Sequence, residues 1–311
     1  MVRADPLVFA MPEQGALGVG LAGALDAELG AMEIRRFPDG ETYLRVDSAC
    51  RGRDVVLAAT LANPDALALP LLFAVHGLRH HGARRVVLAA PYLAYMRQDT
   101  RFRPGEVVTS VAFAGFLSGL VDGVVTVDPH LHRYHSLADI YRVPTRVVHA
   151  APAVAAWIAD HVDRPLLVGP DSESEQWVGE VAGLAGAPFL VLSKTRHGDR
   201  DVEIEVPPLD RWQGCTPVLV DDIVSTAATM IETVTHLRRA GYPAPVCVGV
   251  HGLFVADAHA ALEQAGAATV VTSNTVPHAS NRIDLTARIA EAVEELLDTA
   301  PATGANEEQS R

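Results

Sequence analysis

A chain of 311 residues, 49% hydrophobic and 20% charged, has enough apolar material for two cores of roughly 150 residues each. Its formal net charge of -13 excludes a general nucleic-acid binder, which needs a basic surface to neutralise phosphates, but leaves room for a local anion site. Cys50, Cys215 and Cys247 are widely spaced, odd in number and without metal-ligand spacing, as expected of reduced thiols.

In chain order, residues 7–10 predict a first strand. The run is soon broken by Pro12, Glu13 and Gln14, so it is no signal-peptide pattern, and no apolar stretch is long enough for a bilayer span. A soluble cytoplasmic protein is expected. A helix is predicted over 17–29. Pro38-Asp39-Gly40 is turn chemistry, with Gly40 available for positive φ, and 43–46 continues as a strand. A strand over 54–60 and a helix over 66–79 follow. The strand over 85–90 runs into Tyr92, Tyr95, Arg97, Gln98 and Asp99, a loop that extends to Glu106 before a helix over 107–120. Planar arginine and aromatic groups can sandwich a base, while arginine also pairs with phosphate. The strand over 123–127 ends in Asp128-Pro129-His130, two metal-ligand types two residues apart. His132 and His135 are left outside the candidate site.

The pattern restarts beyond Ala150 with a helix over 154–161 and a strand over 166–169. The acidic, hydroxyl-rich loop over 170–175 can bind magnesium through Asp171 and offer N–H groups to pyrophosphate; alone, it reads equally as an acidic helix start. After a helix over 177–185 and a strand over 189–192 comes a hydrophilic stretch over 193–201. Lys194 and Arg196 fall on one side of an extended segment, and a loop carrying them can close over a polyphosphate. A surface hairpin is the plainer alternative. A strand over 202–206 returns.

Residues 217–229 read P-V-L-V-D-D-I-V-S-T-A-A-T. Val218, Leu219 and Val220 suit a buried parallel strand with Asp221 and Asp222 at its carboxyl end. Ser225, Thr226 and Thr229 precede an amphipathic helix marked by Met230, Val234 and Leu237. Hydroxyls and helix N–H groups can hold a phosphate while two carboxylates face a diol or a metal, which suits a sugar phosphate. An acidic loop with a helix cap shares the pattern. A strand over 246–251, a helix over 257–265, a strand over 269–272 and a helix over 285–297 follow. The polar tail over 299–311 is expected to be disordered. The two halves share an alternation of strands and helices compatible with a duplicated α/β domain.

Residues 218–229 resemble the phosphoribosyl-binding motif of the type I phosphoribosyltransferase fold, with Ala227 and Ala228 where many members carry glycine. Nearly the whole chain, from Phe37 to about Leu297, resembles the ribose-phosphate pyrophosphokinase family, its motifs in family order: F-P-D-G-E at 37–41, Y-M-R-Q-D at 95–99, D-P-H at 128–130, P-D at 170–171, K-T-R at 194–196 and S-N-T-V-P at 273–277. Replaced glycines near Ser172 to Glu175, together with Ala227 and Ala228, suggest a divergent subgroup, closer to archaeal-type members in its R-Q-D-T-R-F-R-P-G-E and S-T segments.

The resemblance implies two tandem type I phosphoribosyltransferase-like domains, each a mostly parallel sheet flanked by helices, over residues 1–149 and 150–298. It implies magnesium-dependent transfer of the diphosphoryl group of ATP to the C1 hydroxyl of ribose 5-phosphate. Lys194 and Arg196 would be catalytic, and His130 and Asp171 would face the metal. Phe37, Asp39, Glu41, Arg97, Gln98 and Asp99 would hold ATP. Asp221, Asp222, Ser225, Thr226, Ala227, Ala228 and Thr229 would hold ribose 5-phosphate. A homo-oligomer with the ATP site at a subunit interface is implied, without nucleic-acid or membrane partners. A phosphoribosyltransferase that consumes this product, or a catalytically silent regulatory homologue, shares part of the pattern.

Overall fold

Apolar runs bounded by Gly, Pro or Asp build the strands, as parallel strands buried on both faces require. The computed structural model describes residues 6–169, 174–196, 202–205, 212 and 214–298, with backbone alone at 193–196 and 202–205. Asp171, the stretch between Arg196 and Val202, and the tail over 299–311 lie outside the described residues.

The first unit comprises β1 (Leu7–Ala10), α1 (Gly15–Ala24), β2 (Glu28–Leu29), β3 (Met32–Arg36), β4 (Thr42–Val46), β5 (Asp54–Ala58), α2 (Pro64–His80), β6 (Arg85–Ala89), α3 (Thr109–Leu120), β7 (Gly123–Val127), β8 (Thr145–Val148) and α4 (Ala151–His161). The second comprises β9 (Pro165–Gly169), α5 (Glu175–Ala185), β10 (Phe189–Val191), β11 (Ser193–Arg196), β12 (Val202–Glu205), β13 (Thr216–Val224), α6 (Ala228–Arg239), β14 (Val246–Gly252), α7 (Ala258–Gln264), β15 (Thr269–Ser273), β16 (Asn281–Ile283) and α8 (Thr286–Asp298).

The sheets run β2-β1-β5-β6-β7-β8 and β10-β9-β13-β14-β15-β16, parallel throughout. Apart from a single 3-10 turn at Leu137–Asp139, the succession of strands and α-helices among the described residues is the same in the two units, so the chain is a structural duplication. Each unit carries an antiparallel hairpin at the same point, β3–β4 in one and β11–β12 in the other.

The last helix of each unit serves the other. α4 packs on α5 and touches β16, whereas α8 packs on α1, β7 and β8 of the first sheet. The buried face of α8, with Ile289, Val293, Leu296 and Leu297, joins one apolar cluster that also holds Val125, Ile158 and Val181. Gly123 permits this approach: a Cβ there would stand 2.6 Å from Leu296 Cδ2. We propose a domain boundary between residues 149 and 150; on that division α4, the last helix of the first repeat, falls in the second domain, and α8 reaches back across the boundary.

Strands β3, β8 and β16 were not predicted, and two predicted elements end well away from their expected bounds. The helix predicted over 17–29 stops at Ala24, because Asp26 takes φ 49° and Glu28–Leu29 peels off to pair with β1. Aspartate visits this left-handed region more readily than most residues. The strand expected at 218–220 continues to Val224, pairing Ile223 with His251 and Val224 with Gly252, so Asp221 and Asp222 lie within β13.

Candidate active site

The carboxyl ends of β7 and β13 bring the two units together. His130 Nδ1 lies 2.7 Å from Asp222 Oδ2, joining residues 92 positions apart. The other oxygen of Asp222 accepts from the N–H of Ile223 at 2.8 Å, and Asp221 Oδ1 accepts from the N–H of Asp222 at 2.9 Å. Burial pushes the Asp222 carboxyl up, but the hydrogen bond and charge of His130, followed by Asp221 and His251, outweigh it and hold the group below the usual carboxylate range. Asp222 is therefore an anion at neutral pH. The floor of the cleft is lined by Tyr92, Met96, Arg97, Asp128 and His251 beside His130.

Beyond β13, Ser225, Thr226 and Thr229 surround the start of α6, whose first N–H groups have no intrahelical acceptor and which receives no side-chain cap. The chain reaches this helix through Ala227 at φ 56° and ψ 15°. The two alanines are thus not equivalent: Ala227 occupies the left-handed conformation that glycine adopts freely, whereas Ala228 opens the helix. Left-handed backbone costs an L-residue about 1 kcal/mol or more. Glycine in a helix is destabilising by roughly 0.5–1 kcal/mol. Ala227→Gly is expected to be the more stable of the two glycine variants by about 1 kcal/mol in urea unfolding, with Ala228→Gly below wild type.

Arg97 is exposed on the cleft, and the Gln98 carbonyl accepts from the N–H of Ser110. Asp99 is buried, and its carboxylate takes Nη1 of Arg133 at 2.8 Å while Tyr134 donates to its carbonyl. This pair fastens the loop carrying Arg97 to the loop that follows His130. Arg133 was invisible in the sequence because it sits beyond the Asp128–His130 motif in an irregular segment.

Phe37, Asp39 and Glu41 form the exposed tip of the β3–β4 hairpin. Phe37 N–H donates to the Glu41 carbonyl at 2.8 Å, Glu41 N–H to Asp39 Oδ1 at 3.2 Å, and Gly40 takes φ 93°. Arg35 lies over the rings of Phe37 and Tyr43 at 4.9 and 4.1 Å. These contacts stay within the hairpin, and Asp39 and Glu41 line a groove shared with Asp65, Leu69 and Phe73 of α2. The tip residues are not drawn into the His130–Asp222 cleft of their own chain.

Lys194 and Arg196 lie on β11, opposite Ile204 and Val202 of β12. Asp171 is outside the described residues, and among those described no group of three or more His, Cys, Asp or Glu could hold a metal ion. His251, not anticipated from the sequence, closes the back of the cleft. It reads as the end of an apolar strand, and its partners come from elements far away in the chain.

Residues 7–120 match the family model of the N-terminal domain of ribose phosphate pyrophosphokinase, and residues 144–287 that of the phosphoribosyl transferase domain. The chain is 35% identical over 292 residues to the ribose-phosphate pyrophosphokinase of Methanopyrus kandleri, covering 93% of this chain and 99% of the relative. It is 32% identical over 280 residues to that of Methanothermobacter thermautotrophicus, covering 90% and 96%. The crystal structure of phosphoribosylpyrophosphate synthetase from Mycobacterium smegmatis superposes with a TM-score of 0.79 at 25% identity, covering 94% of this chain and 99% of that one. Among the described residues no helix is long and apolar enough to cross a membrane. The duplicated parallel fold, the two domain matches and the near full-length relatives agree: the chain belongs to the ribose-phosphate pyrophosphokinase family of enzymes.

Proposed function

We propose that the protein transfers the diphosphoryl group of ATP to ribose 5-phosphate, giving phosphoribosyl pyrophosphate and AMP. The observation that carries this reading is the 2.7 Å contact of His130 with Asp222, which joins the nucleotide-side motif of one unit to the ribose-side motif of the other. The C1 hydroxyl oxygen attacks the β-phosphorus, the bond from that phosphorus to the oxygen bridging the α-phosphorus breaks, and the hydroxyl proton is lost as AMP departs.

Positioning and charge neutralisation dominate such transfers. Asp221 and Asp222 accept from the ribose hydroxyls, while Ser225, Thr226, Thr229 and the backbone at Ala227 and Ala228 hold the 5-phosphate against the start of α6. Arg97 and Gln98 hold the nucleotide, with Asp99 fixing their loop. Lys194 and Arg196 meet the charge that grows on the transferred group. Magnesium fits the donor set, because it keeps several waters and arrives on substrate phosphates, needing only one or two protein groups. His130, its ring fixed by Asp222, and Asp171 would hold it, and when bound it neutralises phosphate charge.

Phe37, Asp39 and Glu41 serve the nucleotide of a neighbouring copy, which makes the working form a homo-oligomer. The net charge of -13 fits neither a nucleic-acid partner nor an anionic membrane surface, and we place the protein in the cytoplasm.

An assay with ATP, magnesium and ribose 5-phosphate tests the reading by following AMP and the pyrophosphorylated sugar together. Stoichiometric formation of both supports it; ribose 5-phosphate binding without AMP overturns it. In the same assay Lys194→Ala is expected to lower kcat about 100-fold with little change in either KM, the pattern of an interaction made in the transition state. Equal turnover would remove Lys194 from its role.

A further inference from the structure

His251 is 1% exposed at the end of β14 and stands behind the His130–Asp222 pair. Its Nε2 lies 3.4 Å from the carbonyl oxygen of Asp128 and its Nδ1 2.9 Å from Thr275 Oγ1. The ring meets Tyr92 edge-on with centroids 5.0 Å apart. Asp128 and Tyr92 belong to the first unit and His251 and Thr275 to the second, so this imidazole spans the seam on which the active site is built. We infer that His251 is a positioning residue, holding the Asp128–Pro129–His130 turn within reach of Asp222 through its bond to the Asp128 carbonyl. The inference rests on the proposed role of the His130–Asp222 pair.

The turn needs holding. Asp128 sits at φ 28°, a costly conformation for a residue with a side chain. It is pinned on one side, where its N–H donates to the Val148 carbonyl at 3.0 Å and its Oδ2 accepts from the N–H of Ala150 at 2.9 Å. His251 supplies the pin on the other side. Burial pushes the His251 imidazole down to about 4, so it is neutral at working pH, with one donor and one acceptor nitrogen. A carbonyl can only accept. Nε2 therefore carries the proton toward Asp128, and Nδ1 is left as the acceptor facing the Thr275 hydroxyl, which also reaches the Val250 carbonyl at 3.0 Å.

The duplication shows why a polar residue stands here. Ala58 pairs with Ala89 in one sheet and Val220 with Val248 in the other, which places Tyr92 and His251 at the same register position, and likewise Thr60 and Asp222. The bond from Asp128 N–H to the Val148 carbonyl is repeated by Asn274 N–H to the Ile283 carbonyl, confirming the alignment. Across the seam Thr60 donates to the Thr275 carbonyl at 2.5 Å and accepts from the N–H of Tyr92 at 3.1 Å. One side of this pseudo-symmetric seam carries the Thr60–Thr275 link. The other carries Asp222–His130, and His251 ties the two together through Thr275 and Asp128.

Two substitutions separate positioning from bulk packing. His251→Gln places an amide N–H where Nε2 was and keeps the donor to Asp128; His251→Asn places its amide nearer the Nδ1 position and loses that donor. In the full-length protein His251→Asn is expected to lower kcat about 10- to 100-fold, the usual cost of losing an outer partner, with KM for ribose 5-phosphate changed by less than about threefold. His251→Gln should recover most of the loss. The His130 ring signal, assigned in carbon–proton NMR by a His130→Gln control, should move in His251→Asn and stay near its wild-type position in His251→Gln. Equal activity losses in both variants, tracking their melting temperatures, would overturn the inference, as would an unmoved His130 signal in His251→Asn. A wild-type protein that makes no AMP would overturn the proposed reaction instead, and the NMR comparison would still decide the positioning role.

Discussion

Asp222→Asn is expected to lower kcat/KM for ribose 5-phosphate by about a thousandfold while leaving the fold intact. Asp222 has two duties that amide chemistry serves poorly. One oxygen accepts from the Ile223 N–H, and the other meets Nδ1 of His130 at 2.7 Å. Truncating one member of a desolvated, hydrogen-bonded pair costs about 2–5 kcal/mol, and a hydrogen bond to a charged group contributes about 1.5–3 kcal/mol. A loss near 4 kcal/mol corresponds to about three powers of ten in rate. Steady-state kinetics with ribose 5-phosphate varied, alongside circular dichroism, checks this. Because His130 and Asp222 act as a unit, His130→Ala combined with Asp222→Asn should be little worse than the poorer single variant. A loss below tenfold in Asp222→Asn, or simple additivity in the double variant, would show that the pair does not organise the site.

Much of this was legible where the physics is local. The Val-rich runs at 55–57, 86–88 and 246–250 are buried strands, and acids or hydroxyls just beyond such strands mark the ligand-binding end of an α/β sheet. Asp221, Asp222, Ser225 and His130 were singled out on that ground. What escaped depends on partners distant in sequence. Met32–Arg36 is a hairpin strand set off from both main sheets, with no residue fully buried, so it lacks the apolar alternation that announces a strand. Asp99 sits in the same R-Q-D run as Arg97 and Gln98, yet it turns inward to Arg133, 34 residues away. His251 ends an apolar strand, and only its contacts with Asp128 and Tyr92 set it apart. The apolar stripe of α8 told that it is buried, not that it covers the sheet of the other unit.

That crossing helix makes a stability prediction. Asp54→Ala, far from the cleft in kind and function, is expected to destabilise the protein by about 3–5 kcal/mol, the usual result of stripping one partner from a buried ion pair. Asp54 is 4% exposed at the start of β5 and receives Arg85 through Nε at 3.0 Å and Nη2 at 2.5 Å. Arg84 adds a further bond through Nε at 2.7 Å. Arg85 also donates to the Leu297 carbonyl of α8 at 2.8 Å, so the carboxylate anchors the guanidinium that holds the last turn of the crossing helix. Without Asp54, a largely buried cation loses the carboxylate that both of its nitrogens reach. Hydrogen exchange should quicken first in α8 and β7, before the second sheet. The pH dependence has a definite sign. Burial pushes the Asp54 carboxyl up, but Arg85 and Arg84 outweigh it and hold the group below its ordinary value. An aspartate of depressed pKa contributes its full stability above the unfolded value of about 3.9 and loses it as pH falls through the folded value. Wild type and Asp54→Ala should therefore differ most at neutral pH and converge below about pH 4. A gap that stays constant to lower pH would assign the loss to packing and leave the ion pair without its role in holding α8.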